Sequence, residues 1–236
     1  MDFIICFIDD SDFEHDLMRN EIAPGASEFE FVQAYTFEEA RELLGKRIPL
    51  LFLLDLWGQD ESVKNPSITP MVELKHKVSE IATLENVYDG LEAFEGDKTN
   101  EYLKRLFTII DGWRNIFETA CFRIGQNRKY GLANLDKVRE YYPGVPGLFY
   151  TRKSLITDSV KIFQAGGDGL FIKPTGKNDF ETRIMTKRYA SKLKEGIKRI
   201  IEHNMERINK LKTDKNGYYN ERMEALISSW KEFINK

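Results

Sequence analysis

The sequence predicts an α/β fold whose core is a doubly wound parallel sheet. Short, uninterrupted apolar runs alternate with stretches of helical period in residues 1–58 and 129–174. An uninterrupted apolar run is typical of a strand that is buried on both faces, as strands of parallel sheets are. Glycine and proline residues mark the joins between these stretches.

The first half of this pattern predicts the order strand, helix, strand, helix, strand. In chain order these elements are expected at residues 2–8, 12–22, 29–35, 36–45 and 50–54. Thr36 is the expected N-cap of the second helix, and Glu39 three residues later completes a capping-box pattern. Gly45 is a typical residue just past a helix end. Strand–helix–strand repeats of this kind connect parallel neighbours in one sheet.

The same rhythm resumes after residue 128. A helix, a strand, a helix and a fifth strand are expected at residues 132–142, 147–150, 154–165 and 169–172. The last two strands run into Thr151 and Lys173, just as the first and third run into Asp9 and Asp55. In open parallel sheets, ligands bind at the edge where the strands end. These polar side chains are therefore expected to converge on one site.

Residues 59–128 interrupt the rhythm, because they show helical spacing and no strand pattern. Two apolar runs with three-and-four spacing are separated by Gly96 and Asp97, which predicts an inserted helical hairpin of about 50 residues. Residues 175–236 predict a C-terminal extension of one long helix from Phe180 and a last helix after Asn216–Gly217.

The insertion and the extension are expected to attract each other. The insertion carries 9 Lys/Arg against 12 Asp/Glu, and the extension carries 15 against 9. Neither hairpin can bury its apolar stripe alone, so we expect the two to form a helical subdomain beside the sheet, within one chain or across a homodimer. The residues expected to face each other are Leu74, Ile81, Leu106 and Trp113 of the insertion and Ile197, Ile201, Leu226 and Trp230 of the extension.

Composition limits the classes of function. The chain has 236 residues, 42% of them hydrophobic, and a formal net charge of −3, which argues against a dedicated nucleic-acid binder. No apolar stretch approaches membrane-spanning length, and no signal-peptide pattern opens the chain. Cys6 lies in a predicted core strand, so it and Cys121 are expected to be reduced thiols of a cytoplasmic protein.

The polar residues at the strand ends carry a resemblance. Phe7-Ile8-Asp9-Asp10, Leu53-Leu54-Asp55, Phe149-Tyr150-Thr151 and Leu170-Phe171-Ile172-Lys173-Pro174 resemble, in this order, the receiver domain of two-component response regulators. The resemblance covers residues 1–58 and 129–174 and implies a flavodoxin-like receiver fold with five strands. The interval from Asp55 to Thr151 is far longer than in that family, and the excess corresponds to the insertion.

The resemblance implies a magnesium site. Asp10 and Asp55 would be direct ligands, Asp9 would act partly through water, and the carbonyl of Trp57 would complete the protein's share. Hard carboxylate oxygens are the ligands that Mg²⁺ prefers. A divalent cation also relieves the repulsion between an anionic phosphodonor and a carboxylate acceptor.

The resemblance also implies a role in a phosphorelay. Asp55 would accept a phosphoryl group from a histidine kinase or phosphotransfer protein. Lys173 would pair with a phosphoryl oxygen, and Thr151 would donate a hydrogen bond to another. The Lys173–Pro174 bond would be cis, as in the family. Such a protein signals to a downstream partner through contacts and is not an enzyme with turnover.

Three departures from the family favour an alternative. Arg152 replaces a small residue after the Thr, Leu170 replaces an aromatic switch residue in the fifth strand, and Trp57 is larger than usual. A pseudo-receiver, in which the pocket is only a scaffold for protein contacts, would tolerate these changes.

Two further alternatives have weaker support. A haloacid-dehalogenase-like phosphatase needs a second Asp two residues after its nucleophile. Position 57 is Trp, and although Asp10 and Asp12 have that spacing, the downstream glycine–aspartate metal motif is missing. Nucleic-acid binding by the basic extension is opposed by its interleaved glutamates, which are typical of a solvated helix face.

Overall fold

The structure is a computed structural model that describes residues 3–59, 63–152, 156–213 and 221–235. The chain forms two compact units. The sheet unit comprises Met1–Gly58 and Arg128–Lys236, and the inserted unit comprises Gln59–Asn127.

The sheet unit contains a five-stranded sheet in which all neighbouring strands are parallel. Its strands are β1 (Phe3–Ile8), β2 (Phe29–Ala34), β3 (Leu51–Leu54), β6 (Gly147–Thr151) and β7 (Gly169–Ile172). They lie in the order β2-β1-β3-β6-β7, which is the flavodoxin-like order 2-1-3-4-5. The predicted doubly wound five-stranded sheet is therefore confirmed. Every residue of β1 and β3 is buried, which explains why their sequences contain no polar residue.

Helices surround this sheet. Those of the sheet unit are α1 (Asp12–Leu17), α2 (Phe37–Leu44), α6 (Lys129–Tyr141), α7 (Ile156–Gln164), α8 (Asp179–Thr213) and α9 (Glu221–Ile234). After α1 the chain continues through a π-helical turn, Met18–Ile22, and a 3₁₀ turn, Ala23–Ala26. Thr36 caps α2 by accepting a hydrogen bond from the Glu39 amide at 3.2 Å. Gly45, at φ 58°, ends α2.

The C-terminal extension packs within the sheet unit. Trp230 of α9 is fully buried, and its indole N–H donates to the Leu50 carbonyl at 3.1 Å. The ring of Phe233 lies 5.2 Å from that of Phe3 and 5.1 Å from that of Phe29. Trp230 and Phe233 are therefore buried within the sheet unit itself, and packing of the extension against the insertion stays a prediction. Apolar spacing identified the buried face of this helix but could not identify the partner that buries it.

The inserted unit is helical. It contains α3 (Met71–Ser79), α4 (Leu84–Tyr88) and α5 (Lys98–Arg123). The predicted second arm is one helix of 26 residues, and Asp97 caps it by accepting a hydrogen bond from the Asn100 amide at 3.0 Å. The first arm is split in two, because Thr83 and Asn86 form a capping box that starts a new helix. Within the described residues, no helix is both long and apolar enough to cross a bilayer.

Two short strands lie where the chain enters and leaves this segment. They are β4 (Gly58–Gln59) and β5 (Gln126–Asn127), and they pair with each other as a separate two-stranded sheet.

Candidate functional site

Three carboxylates meet at the carboxyl edge of the sheet. Asp9 and Asp10 follow β1, and Asp55 follows β3. The two strands are neighbours, and their register pairs Ile8 with Leu54, which places Asp9 beside Asp55. One carboxylate oxygen from each of the three acids lies within 4.8 Å of the others. The three acids therefore lie together at this edge, as the sequence predicts.

Two of these acids are buried and held by backbone amides. Asp9 is 1% exposed and Asp55 is 6% exposed. Asp9 Oδ1 accepts a hydrogen bond from the Ser11 amide at 3.0 Å, and Asp55 Oδ2 accepts one from the Trp57 amide at 3.1 Å. Because an amide holds one oxygen of each carboxylate, the other oxygen can face the cluster.

A buried ammonium group lies among the acids. Lys173 follows β7, and its Nζ donates to Asp9 Oδ2 and, at 3.0 Å, to Asp55 Oδ1. A third carboxylate oxygen, Glu14 Oε2, lies 3.5 Å away. The Lys173–Pro174 bond is trans, in contrast to the cis bond implied by the resemblance.

The Thr151 hydroxyl lies on the same edge, at the end of β6. The Lys173 amide donates to the Thr151 carbonyl at 2.9 Å, which links the ends of β6 and β7. Thr151 is fully buried, and its Oγ1 has no hydrogen-bond partner in the described part of the chain. A buried hydroxyl without a partner is unfavourable by about 1–3 kcal/mol, so this atom is suited to a ligand that supplies an acceptor.

Burial and charge shift two pKa values in the site. Burial raises the pKa of Asp9 to about 7; the Lys173 ammonium opposes this shift, and the Asp55 carboxylate reinforces it. Burial alone would lower the pKa of Lys173, but Asp55, Asp9 and Glu14 together raise it above its ordinary value. The surrounding carboxylates therefore favour the charged form of Lys173, whereas burial disfavours the charged form of Asp9. The site contains more acid groups than a single ammonium can neutralise.

Arg152 bounds the site on one side. Its Nε donates to Glu14 Oε1 at 2.8 Å, and its Nη2 lies 2.7 Å from the same oxygen. Its Nη1 donates to the Pro174 carbonyl and, at 3.1 Å, to Thr175 Oγ1. This residue therefore ties the end of β6 both to α1 and to the loop that leads into α8.

The start of α6 bounds the site on the other side. The Tyr130 hydroxyl donates to the Tyr35 carbonyl at 2.7 Å, and burial together with Asp9, Asp10 and Asp55 raises the pKa of Tyr130. Gly131 donates its amide to the Leu56 carbonyl at 3.2 Å, and a Cβ there would lie 2.4 Å from the Asp55 carbonyl oxygen. A glycine is required at this close approach.

The structure brings together most of the residues that the sequence singled out, and the sequence missed part of their surroundings. Asp9, Asp10, Asp55 and Lys173 come together as predicted, and Thr151 lies on their edge of the sheet. The structure presents the Trp57 amide to Asp55, while a role for the Trp57 carbonyl as a ligand stays a prediction.

The missed residues are Glu14, His15 and Tyr130. Glu14 is in the first turn of α1, and its spacing in the sequence does not link it to the residues at the strand ends. His15 is buried, and its Nε2 lies 2.9 Å from the Asp9 carbonyl oxygen. Nothing in the sequence distinguishes His15 or Tyr130 from ordinary core and surface residues.

Comparisons with known proteins give similarities of fold. No family model matches the chain, and no curated protein matches it. A CheY-like receiver domain protein from Methanospirillum hungatei is 14% identical, with a TM-score of 0.42, over 86% of this chain and 99% of that one. The receiver domain of NtrX from Brucella abortus is 16% identical, with a TM-score of 0.36, over 79% and 98%.

A third solved structure is a response regulator from Burkholderia pseudomallei, described with a phosphorylated aspartic acid, a calcium ion and citrate. It is 16% identical, with a TM-score of 0.37, over 99% of this chain and 93% of that one.

Proposed function

We propose that this chain is a response-regulator receiver that accepts one phosphoryl group on Asp55 with the help of Mg²⁺ and signals through protein contacts. The observation that carries the proposal is the buried edge at which three carboxylates, an ammonium group and a hydroxyl without a partner meet. A carboxylate nucleophile, a fixed cation and a free hydrogen-bond donor are the groups that phosphoryl transfer to an aspartate needs.

The donor set of the cluster fits a divalent cation. Asp9, Asp10 and Asp55 offer hard oxygens within 4.8 Å of one another, and burial, with a smaller contribution from the Asp55 carboxylate, raises the pKa of Asp9, so a cation would stabilise its charged form. These three residues would hold the ion. A bound Mg²⁺ supplies positive charge that lets an anionic donor approach a carboxylate.

The remaining steps fall to side chains of this chain. An Asp55 oxygen forms a bond to phosphorus while the bond from phosphorus to the donor atom breaks, and the leaving group takes that electron pair. When the donor is a phosphohistidine, the imidazole then picks up a proton. Lys173, which already contacts Asp55 at 3.0 Å, balances the transferred charge, and the Thr151 hydroxyl donates to a phosphoryl oxygen.

Metal binding is the first test. Titration calorimetry with Mg²⁺ should give a dissociation constant of roughly millimolar order, as expected for an open site of two or three carboxylates. Asp10→Ala should weaken binding strongly, whereas Asp12→Ala, an exposed acid two residues further on, should leave it nearly unchanged. Affinity should rise with pH through about 7, because the ion must displace the proton on Asp9. Equal effects of the two substitutions would place the ion elsewhere.

Phosphorylation is the second test. A small phosphodonor with Mg²⁺ should add one acid-stable, hydroxylamine-labile phosphoryl group, and Asp55→Asn should abolish it. Lys173→Ala should slow labelling by about 100-fold or more, because the transferred charge loses its fixed counter-ion. Labelling that persists in Asp55→Asn would move the acceptor to another residue, and continuous turnover of a phosphate monoester would favour a phosphatase.

A pseudo-receiver is the second candidate. The observation that favours it is that the Lys173 ammonium already forms ion pairs with Asp9, Asp55 and Glu14. A wild-type protein that binds neither Mg²⁺ nor a phosphoryl group would support this candidate.

For the response-regulator candidate, the proposed partners are a histidine kinase or phosphotransfer protein as phosphodonor and a further protein that receives the signal.

A further inference from the structure

Glu14 connects the two cations of the site. One of its oxygens, Oε1, is shared by Arg152 Nε and Nη2 at 2.8 and 2.7 Å, and the other, Oε2, lies 3.5 Å from Lys173 Nζ. The Glu14 side chain is 11% exposed, and that of Arg152 is 21% exposed, so solvent screens this contact only partly. Lys173 therefore interacts with one carboxylate that belongs neither to the acid cluster nor to the expected acceptor.

Arg152 connects this pair to the extension. It donates to the Pro174 carbonyl and to Thr175 Oγ1, which lie directly after Lys173. Directly after Thr175, the Gly176 amide donates a hydrogen bond to Thr182 Oγ1 at 3.0 Å, so this loop is bonded to the first turn of α8. A change at Glu14 can thus reach α8 through one guanidinium group.

We propose that Glu14 and Arg152 are positioning residues that restrain Lys173 while the site holds no phosphoryl group and transmit the arrival of that group to the start of α8. The inference rests on the proposed function and names how the same site is regulated. Arg152 and Glu14 would take the part that an aromatic switch residue plays in the resembled family, where this chain has Leu170.

The distances decide which contact yields first. Lys173 Nζ is bonded to Asp9 and lies 3.0 Å from Asp55, but it lies 3.5 Å from Glu14. An anion that arrives on Asp55 must draw the ammonium toward itself, and the longest of the three contacts is released at the lowest cost. Glu14 then keeps Arg152 as its partner, and the pair is free to shift together with the bonds that Arg152 makes to Pro174 and Thr175.

Substitutions at the two positions should have opposite effects on anion affinity. With Mg²⁺ and beryllofluoride as the probe, titration calorimetry on the full chain should show about three- to tenfold tighter binding for Glu14→Gln, because a competing negative charge is removed. Arg152→Ala should weaken binding by a similar factor, because Glu14 then acts on Lys173 alone. In the double variant the loss caused by Arg152→Ala should disappear.

A matched control separates this effect from loss of stability. Arg139 also ties a loop, since its Nη1 donates to the Val145 carbonyl at 3.0 Å and its Nη2 to Asp168 Oδ2 at 2.6 Å. These contacts lie where β6 and β7 begin, away from the acid cluster. Arg139→Ala should lower the melting temperature about as much as Arg152→Ala and leave the affinity for beryllofluoride unchanged.

Amide hydrogen exchange gives the second readout. Beryllofluoride should change exchange in residues 175–186 of the wild type and of Arg139→Ala, but not of Arg152→Ala saturated with the probe. The inference would be overturned if Glu14→Gln binds beryllofluoride less tightly, or if the two substitutions have additive effects in the double variant. It would also be overturned if α8 of Arg152→Ala responds to beryllofluoride as it does in the wild type. A wild type that binds beryllofluoride and labels on Asp55 would, with any of these results, leave the proposed function intact. A wild type that does neither would overturn both.

Discussion

Helices α5 and α8 share the same spacing of apolar residues but bury them to different extents. In α8, Ala190, Leu193, Ile197 and Ile201 are each at most 1% exposed. In α5, which is described along its whole length, Cys121 alone is buried. The exposed fractions of Leu103, Phe107, Ile110 and Trp113 there are 45, 61, 57 and 51%.

The difference shows what an apolar stripe establishes. It identifies the face that a helix can bury, but the partner has to be present and shaped to receive it. On α8 the fit is visible at small residues: a Cβ on Gly196 would lie 2.5 Å from the Phe171 ring, and one on Gly25 would lie 2.8 Å from Ala190. Within the inserted unit, the described residues of α3 and α4 leave these apolar side chains of α5 exposed, so α5 presents a hydrophobic surface there.

Among the tests of this contrast, removal of residues 221–236 should have the largest effect. Without α9, the rings of Phe3 and Phe29 and the Leu50 end of β3 lose their cover, and the sheet unit should expose apolar surface. We expect strong binding of a hydrophobic dye and aggregation. A truncated protein that stays monomeric and melts at the wild-type temperature would show that α9 covers nothing essential.

A sharper test compares two tryptophans. Trp230→Ala should lower the free energy of unfolding by about 3–5 kcal/mol, as large-to-small changes in a packed core do. Trp113→Ala, with a side chain that is half exposed, should change it by less than about 1 kcal/mol. Urea unfolding followed by circular dichroism measures both. Similar losses for the two variants would mean that α5 is buried in solution.

Substitution of two glycines by alanine compares the two units through the addition of a single methyl group. Gly131→Ala puts a Cβ against the backbone of Asp55 and Leu56, and should lower the free energy of unfolding by about 1–3 kcal/mol. In Gly112→Ala the nearest atom, at 3.0 Å, belongs to the Ile81 side chain, which can move, while helix propensity gains about 1 kcal/mol. That variant should be near neutral. A neutral Gly131→Ala would place α6 further from β3.

The smallest expected effect concerns the two thiols of the native protein. Cys6 lies at the centre of β1, is fully buried, and burial raises its pKa. Cys121 is 6% exposed in a helix that buries little else, so local opening should reach it first. A thiol reagent should modify Cys121 faster than Cys6, with Cys121→Ser as the control that leaves only the slow reaction. Equal rates would indicate that both units open together.

The sheet and its acid cluster were predictable because each leaves a direct trace in the sequence. Strands buried on both faces give the continuous runs of β1 and β3, and parallel pairing brings their ends together, so Asp9 and Asp55 could be placed side by side. The break between α3 and α4 was missed, because the capping residues Thr83 and Asn86 lie within a stretch of helical spacing.

The partners of surface elements were not predictable. Glu14 has the spacing of an ordinary solvated acid on a helix, yet in the folded chain its Oε2 lies 3.5 Å from Lys173 Nζ. In the same way, the aromatic ends of β1 and β2 that receive α9 are not distinguishable from other core positions. Long-range packing decides both outcomes, and periodicity carries no information about it.

The pairing of β4 with β5 has a consequence for how this chain tolerates change. Because Gly58–Gln59 and Gln126–Asn127 hold the two ends of the inserted segment side by side, its length contributes to chain entropy only through a logarithm. Each doubling of such a loop adds roughly 0.6 kcal/mol, which a stable domain absorbs easily. We therefore expect this position to accept inserted segments of very different length, in evolution or by design, without a change in the register of the five strands.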